Sequence, residues 1–310
     1  MMKIAFVFPG QGSQSVGMLD AWAGNPVVAD TLAQASQALD QDIAALISNG
    51  PSDQLDLTTN TQPVMLTAAM AMYRAWLHAG GPAPELVAGH SLGEYSALTA
   101  AGALTLEDAV RVVRIRANAM QDAVPVGAGA MAVILGLASD AVKAVCSEAA
   151  LGDVVEAVNF NAPEQVVIAG HKGAVDRACE LAKQAGAKRA LLLPVSAPFH
   201  SSLLSPAAAQ LQRALASVNL AAPRIPLINN VDVASPEEPA AIKDALVRQA
   251  CRPVRWVEVI QAMKARHVTH VVECGPGKVL GGLTKRIDRD LIGLSIADPV
   301  SLEMTLKALR

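Results

Sequence analysis

The chain has 310 residues, of which 52% are hydrophobic and 17% charged, enough apolar material for one large α/β domain or two smaller ones. Its formal net charge is −3 and it carries no long basic stripe, which argues against nucleic acid as the main partner. The four cysteines are far apart and no uncharged apolar run reaches the roughly 18 residues of a membrane span, so we expect a soluble cytoplasmic protein with reduced thiols and no membrane segment.

The N-terminal part of the chain predicts alternating strands and helices. Ile4 to Phe8 is typical of a buried strand, and a glycine-containing loop over 9–14 follows it. Helices are predicted over 26–39 and 42–48. A further helix is predicted to begin at Thr61-Gln62-Pro63, because proline is well tolerated in a first helical turn.

The segment 89–93 reads Gly-His-Ser-Leu-Gly and lies between an apolar strand pattern and a helical pattern. This is G-x-S-x-G in the strand, turn, helix context that gives the motif its meaning, because flanking glycines permit a turn that lifts the serine hydroxyl from the sheet. Ser91 is therefore a candidate acyl nucleophile. The alternative is a buried Ser-Gly turn without chemistry. We expect the adjacent His90 to support the loop.

Thr105, with Asp108 three residues later, predicts a capping box that opens a helix over 106–123. That helix carries Arg116 on an otherwise apolar stretch, together with Arg111 and Arg114. Such arginines usually form a solvated face, but one that points into a cleft would hold a carboxylate through two parallel hydrogen bonds. The spacing alone leaves both interpretations open.

The segment 127–196 predicts a compact module inserted in an α/β core formed by 1–126 and 197–310. Its predicted element order is βαββαβ, the ferredoxin-like split arrangement. The strands are predicted at 131–137, 154–159, 165–169 and 190–195, and the helices at 139–150 and 172–185. Beyond it, helices are predicted over 201–217, 240–250 and 253–265 and after residue 277, with strands at 225–229 and 268–273.

A nucleophilic serine needs a general base, and the histidine in the best position is His200. It lies in a proline-fixed loop over 196–201, directly after the predicted module, and the order serine before histidine is that of elbow enzymes. A solvated loop histidine is the alternative. No acidic residue between Ser91 and His200 sits at an obvious strand end, so the sequence does not support a complete catalytic triad.

An oxyanion hole needs backbone N–H donors, and Leu92 and the loop around Gln11 are the candidates. The Gly-Gln-Gly sequence in that loop has a second interpretation as a dinucleotide-binding fingerprint. Against it, Ser15 occupies the third glycine position and no acidic residue closes a second strand at the expected distance.

Several separate motifs, taken together in order and spacing, resemble the malonyl-coenzyme A:acyl carrier protein transacylase family, and the resemblance covers essentially the whole chain. The motifs are Pro9-Gly-Gln-Gly-Ser-Gln14, Gly89-His-Ser-Leu-Gly-Glu94, Arg116, Asn159-x-Asn161, Phe199-His200, Gln249 and Glu273-Cys-Gly-Pro-Gly277. The resemblance implies an α/β-hydrolase-like core with a parallel sheet and a ferredoxin-like insertion, in agreement with the division above.

The resemblance also implies roles for individual residues. Ser91 would be the nucleophile and His200 the base, with the amides of Gln11 and Leu92 as oxyanion donors. The resemblance also explains why no triad acid is found. The family orients its histidine through a backbone carbonyl, which here would be that of Gln249.

For the substrate, the resemblance makes Arg116 a carboxylate clamp, and Gln62, Phe199 and Asn161 further substrate-binding residues. Phe199 before the histidine is similar to the pattern of malonyl-selective members, whereas relatives that prefer branched extender units tend to carry serine there.

The activity that the resemblance implies is a two-step transfer of a malonyl group from malonyl-coenzyme A to the phosphopantetheine thiol of acyl carrier protein, as in fatty acid synthesis. No metal or redox cofactor is expected, and we expect a monomer. Lys188-Arg189 and Lys285-Arg286 are candidate docking residues for the acidic carrier protein, although either pair alone also fits a solvated surface.

Three alternatives remain open from the sequence. A serine thioesterase or esterase would use the same serine and histidine with water as acceptor. A carrier-binding module without catalysis belongs to a different class, and the intact Ser91 and His200 argue against it. Within the family, a malonate-decarboxylase-associated acyltransferase or a polyketide synthase domain would share the site.

Overall fold

The computed structural model describes residues 2–195 and 197–309. Residues 1, 196 and 310, at which predicted segments begin or end, lie outside the described residues. The strands in chain order are β1 (Ile4–Phe8), β2 (Leu86–Gly89), β3 (Gly129–Leu135), β4 (Val155–Ala162), β5 (Gln165–His171), β6 (Arg189–Leu192), β7 (Leu227–Ile228), β8 (His270–Cys274) and β9 (Ile292–Ile296).

The α-helices, in the same order, are α1 (Pro26–Leu39), α2 (Ile43–Asn49), α3 (Ser52–Leu55), α4 (Thr58–His78), α5 (Gly93–Ala100), α6 (Leu106–Asp122), α7 (Ser139–Ala150), α8 (Lys172–Gln184), α9 (Ser205–Ala216), α10 (Pro239–Gln249), α11 (Trp256–Ala265), α12 (Val279–Ile287) and α13 (Pro299–Ala308). Short 3-10 helices lie at Asp20–Trp22 and Ser202–Leu204. In the described part of the chain, no helix has both the length and the apolar character needed to cross a bilayer.

Five strands form a parallel sheet in the order β7-β2-β1-β8-β9, which confirms the predicted α/β class. Every residue of β1 and β2 is buried, as expected for central strands covered on both faces. In their register Phe8 lies opposite Gly89. The loop after β1 and the turn after β2 therefore emerge side by side at the carboxyl edge of the sheet.

The remaining four strands form a separate antiparallel sheet in the order β4-β5-β3-β6. Because side chains alternate along a strand, the two faces of β3 have different neighbours. Ala132 and Ile134 pack in a cluster with residues of α7 and α8, whereas Met131 and Val133 join the main core. One face of this sheet is thus turned toward the parallel-sheet part of the molecule.

Most predicted elements exist, but some limits differ. Helix α4 begins at Thr58 rather than Thr61, so Pro63 lies inside it and not in its first turn. Strand β6 ends at Leu192, short of the predicted residue 195, in a segment where Pro194 has no N–H to give to a ladder. Thr105 accepts the Asp108 amide at 3.1 Å, which is one half of the predicted capping box.

Candidate active site

The segment 89–93 forms the predicted sharp turn between β2 and α5. Ser91 at its centre has φ of 53°, in the left-handed region that non-glycine residues rarely adopt. A Cβ at Gly89 would lie 1.9 Å from the carbonyl oxygen of Gly93, and a Cβ at Gly93 would lie 2.0 Å from that of Phe8. Only glycines fit at these two positions, and the turn consequently packs directly on the end of β1.

The structure brings Ser91 and His200 together. His200 Nε2 lies 2.7 Å from Ser91 Oγ, and His200 Nδ1 lies 2.8 Å from the main-chain oxygen of Gln249. A carbonyl oxygen can only accept, so Nδ1 carries the proton and Nε2 is free to take the one on the serine hydroxyl. This is the spacing of an activated nucleophile and its base, with a carbonyl in place of the carboxylate that orients the histidine in a triad.

The environment keeps His200 uncharged. The residue is buried, and this burial, with the positive charge of Arg116 as a second cause, lowers the pKa of His200 to about 3. Its imidazole is therefore in the neutral, proton-accepting form around neutral pH. Its backbone, like that of Ser91, is in the left-handed region, with φ of 65°.

Arg116 points from α6 into the site and is only 2% exposed. Its Nη1 donates to Gln62 Oε1 at 2.6 Å, and its Nη2 donates to Ser91 Oγ at 3.1 Å and to Gln249 Oε1 at 3.0 Å. The guanidinium also lies over the ring of Tyr95, 5.5 Å from the centroid. These partners are all neutral, and burial lowers the pKa of Arg116. The site thus holds a buried cation next to the serine hydroxyl, suited to an anionic ligand.

The other two arginines of α6 lie elsewhere. Arg111 is exposed and pairs with Asp108 at 3.8 Å, while Arg114 contacts Gln41. The sequence left open whether these arginines form a solvated helix face or point into a cleft. Arg116 points into the cleft, and Arg111 lies on the helix surface.

Gln249 contacts the site with its side chain as well as its main chain. Its Nε2 donates to the carbonyl oxygen of Ser91 at 2.9 Å and to Glu94 Oε2 at 3.1 Å. Its Oε1 accepts from Arg116 and its main-chain oxygen from His200. The family resemblance implied only the last of these contacts.

The two predicted oxyanion donors, Leu92 and Gln11, both line the site. The Ser91 amide donates to Asn230 Oδ1 at 2.7 Å, but within 2–195 and 197–309 the amides of Leu92 and Gln11 have no acceptor. Leu92 follows β2 and Gln11 follows β1, and the His90 amide bonds to the Phe8 carbonyl at 3.0 Å, which ties the two segments together.

A cleft of about 500 Å³ lies at this point between the two sheets. Its walls include the predicted site residues Gln11, Gln62, Ser91, Leu92, Arg116, Asn161, Phe199 and His200. His90, which we expect to support the nucleophile loop, has its Nε2 2.8 Å from Asn161 Oδ1, and its ring packs on Trp256. No group of three or more His, Cys, Asp or Glu side chains suited to a metal ion occurs in the described residues.

Comparison with known proteins identifies the family of this chain. Residues 5–286 match the family model described as acyl transferase domain. The malonyl CoA-acyl carrier protein transacylase of Escherichia coli K12 is 53% identical over 308 residues, which cover 99% of this chain and 100% of that protein. The chain belongs to the malonyl-coenzyme A:acyl carrier protein transacylase family, and it is an acyltransferase.

Solved structures resemble this acyltransferase over its full length. The acyl-carrier-protein S-malonyltransferase of Burkholderia pseudomallei 1710b has a TM-score of 0.98 and 66% identity, covering 99% of this chain and 100% of that one. A malonyl-transacylase in complex with its type II polyketide synthase acyl carrier protein has a TM-score of 0.97 and 48% identity, covering 99% of both chains.

Asn230 and Glu94 of this acyltransferase are also buried at the site, although neither is among the predicted site residues. Burial raises the pKa of the Glu94 carboxyl to about 7. A usable signal did exist for Asn230, because it follows the predicted strand at 225–229. A polar residue at the carboxyl end of a strand beside the nucleophile strand is a candidate for the site.

Proposed function

We propose that this acyltransferase moves the malonyl group of malonyl-coenzyme A to the phosphopantetheine thiol of acyl carrier protein, through a malonyl ester of Ser91. Such a transfer supplies the extender unit of fatty acid synthesis. The observation that carries the proposal is the position of the Arg116 guanidinium, 3.1 Å from the hydroxyl that His200 contacts. A cation so close to the nucleophile suits an acyl group that bears a carboxylate near its carbonyl carbon.

In the first step, His200 Nε2 takes the Ser91 proton while Oγ attacks the thioester carbonyl. Collapse of the tetrahedral intermediate breaks the carbon–sulfur bond, and the imidazolium returns the proton to the coenzyme A sulfur. The amides of Leu92 and Gln11 donate to the oxyanion. Since Gln249 accepts from Nδ1 with a carbonyl oxygen, it orients the ring without adding a negative charge.

In the second step, the carrier thiol gives its proton to His200 and attacks the ester carbonyl, and Ser91 leaves with that proton. Arg116 holds the malonyl carboxylate throughout, with Gln62 fixing the guanidinium from the far side. Phe199 limits the space around the acyl group, and Asn161, held by His90, lines the entrance for the pantetheine arm.

For the architecture, we propose that residues 1–126 and 197–310 form an α/β-hydrolase-like core and that 127–196 is a ferredoxin-like inserted subdomain. The element order β3-α7-β4-β5-α8-β6 and the strand order β4-β5-β3-β6 support the second assignment. The cleft between the two sheets then lies between core and subdomain, where a long pantetheine arm can enter.

The carrier protein is proposed to dock on the two basic pairs, which flank the turn between β4 and β5. Lys188 Nζ lies 3.8 Å from Glu164 Oε2 on one side of this turn, and Arg286 contacts Gln165 on the other. Lys188 and Arg286 thus lie near the same turn, each next in sequence to a second exposed cation, Arg189 and Lys285, and this positive charge suits an acidic partner. Transfer to carrier protein should then fall with ionic strength more steeply than transfer to free pantetheine, and parallel salt dependences would contradict this docking surface.

The direct test of the proposed reaction is intact-protein mass spectrometry after brief exposure to malonyl-coenzyme A. We expect one malonyl adduct on the wild-type protein, none on Ser91→Ala, and loss of the adduct when carrier protein bearing phosphopantetheine is added. An adduct that persists in Ser91→Ala would refute the assignment. Continuous hydrolysis of the adduct without any thiol acceptor would instead indicate a thioesterase.

A further inference from the structure

Asn230 lies directly behind the nucleophile turn. It follows β7, the sheet neighbour of β2, and it is fully buried. Its side-chain amide spans the turn, because Oδ1 accepts the Ser91 N–H at 2.7 Å and Nδ2 donates to the Gly89 carbonyl at 2.7 Å. Both ends of one rigid amide plane thus hold backbone on the two sides of His90.

Glu94 holds Asn230 in turn. This residue is in the first turn of α5 and is 1% exposed. Its Oε2 accepts the main-chain N–H of Asn230 at 2.8 Å and the Nε2 of Gln249 at 3.1 Å. A single carboxylate oxygen therefore connects the residue that holds the Ser91 amide with the residue that orients His200.

Building on the proposed role of Ser91 as acyl nucleophile, we propose that Glu94 and Asn230 are positioning residues for the transfer. A non-glycine residue with φ of 53° persists only where its surroundings enforce that conformation, and Asn230 supplies hydrogen bonds on both sides of it. With the Ser91 N–H occupied, the Leu92 N–H is the donor of this turn that is left for an oxyanion. Glu94 keeps Asn230 and Gln249 in fixed relative positions.

The test uses an alkyl fluorophosphonate on the full-length protein. Ser91 Oγ forms the bond to phosphorus, fluoride leaves, and His200 takes the serine proton, so the labelling rate reports the turn and the dyad without any malonyl recognition. Because a displacement of about 1 Å at a reacting centre costs on the order of 100-fold, we expect Asn230→Ala and Glu94→Ala to lose about that factor in the maximal labelling rate. The probe concentration for half-maximal rate should change little, since the pocket walls stay in place.

Two further variants separate positioning from general damage. Glu94→Gln keeps an acceptor oxygen of the same size and should restore a rate close to wild type. Asn229→Ala is the matched control, because Asn229 is also buried and, among residues 2–195 and 197–309, it bonds within its own turn, to Asp232 and Ala234. If Asn229→Ala slows labelling as much as Asn230→Ala, the effect reports damage to the strand end and the proposal is wrong. A wild-type rate in Asn230→Ala would also overturn it.

If the alanine variants do not fold, amide hydrogen exchange of the wild-type protein tests whether Asn230 holds the Ser91 amide. The Ser91 amide should exchange much more slowly than the Leu92 amide, and equal exchange would overturn the role of Asn230. The labelling experiment also distinguishes a failure of this proposal from a failure of the proposed function. Labelling of Ser91 that depends on Asn230, in a protein that forms no malonyl adduct, would remove the proposed substrate and keep the positioning role. No labelling of wild-type Ser91 would overturn both.

Discussion

Replacement of Arg116 by alanine separates recognition of the malonyl carboxylate from the acyl chemistry. The guanidinium is 2% exposed and donates to Gln62, Ser91 and Gln249. A malonyl carboxylate bound there would lose its buried, charged partner. Truncating one member of such a buried pair costs about 2–5 kcal/mol, which is roughly 30- to 5,000-fold in kcat/KM.

The assay compares kcat/KM for malonyl-coenzyme A with that for acetyl-coenzyme A, using the same thiol acceptor. Acetyl transfer has no carboxylate to lose. The substitution also removes a positive charge that lowers the pKa of His200, so the base becomes stronger and acetyl transfer should be spared or raised. Acceptor atoms of Gln62 and Gln249 lose their donor in either reaction, and the ratio of the two constants cancels that loss.

Arg111→Ala is the control for Arg116→Ala, because Arg111 lies on the same helix but at the surface. We expect it to leave both reactions and their ratio unchanged. An equal fall of malonyl and acetyl transfer in Arg116→Ala would refute the clamp, since it would show that the guanidinium supports the serine and not the carboxylate.

Two further predictions concern the buried network. Gln249→Ala keeps the main-chain carbonyl that orients His200 but removes the side-chain contacts to Ser91, Glu94 and Arg116. We therefore expect acylation of Ser91 to slow by roughly 10- to 100-fold. A wild-type acylation rate would show that the main-chain carbonyl suffices to position His200. The pKa of Glu94 is about 7 in the folded protein, against an ordinary value of 4.5, so the folded state binds the Glu94 proton more tightly than the unfolded state does. This protonation stabilises the fold below pH 4.5, and the stabilisation is lost as the pH rises to about 7. Denaturant unfolding of Glu94→Gln should lack this loss, which amounts to about 3 kcal/mol, and identical pH profiles for the two proteins would contradict it.

The nucleophile turn could be predicted because its cause is local. The steric demand at Gly89 and Gly93 is met by residues within the same short segment and the end of the adjacent strand. The meeting of Ser91 and His200 was predicted from the order of the elements, since Ser91 follows β2 and His200 lies in the loop after β6. These features need only the order of the elements.

The side-chain network behind the turn could not be predicted in the same way. Gln249, Asn230 and Glu94 come from α10, the end of β7 and α5, and no spacing in the sequence relates them. Their hydrogen bonds exist only because three elements pack at one point. The final strand β9 and helix α13 were not predicted either. Strand β9 reads Ile-Gly-Leu-Ser-Ile and so lacks the continuous apolar run of β1.

The charge of Arg116 also links the identity of the substrate to the basicity of His200. Burial is the larger cause of the lowered His200 pKa, and Arg116 adds to it. A malonyl carboxylate paired with Arg116 cancels that second contribution, so the pKa of His200 should rise when malonyl-coenzyme A binds and stay low with acetyl-coenzyme A. The acid limb of saturating single-turnover acylation, which reports the enzyme–substrate complex, should therefore lie at higher pH for malonyl than for acetyl. Coincident limbs would mean that the charge of Arg116 does not contribute to the pKa of His200.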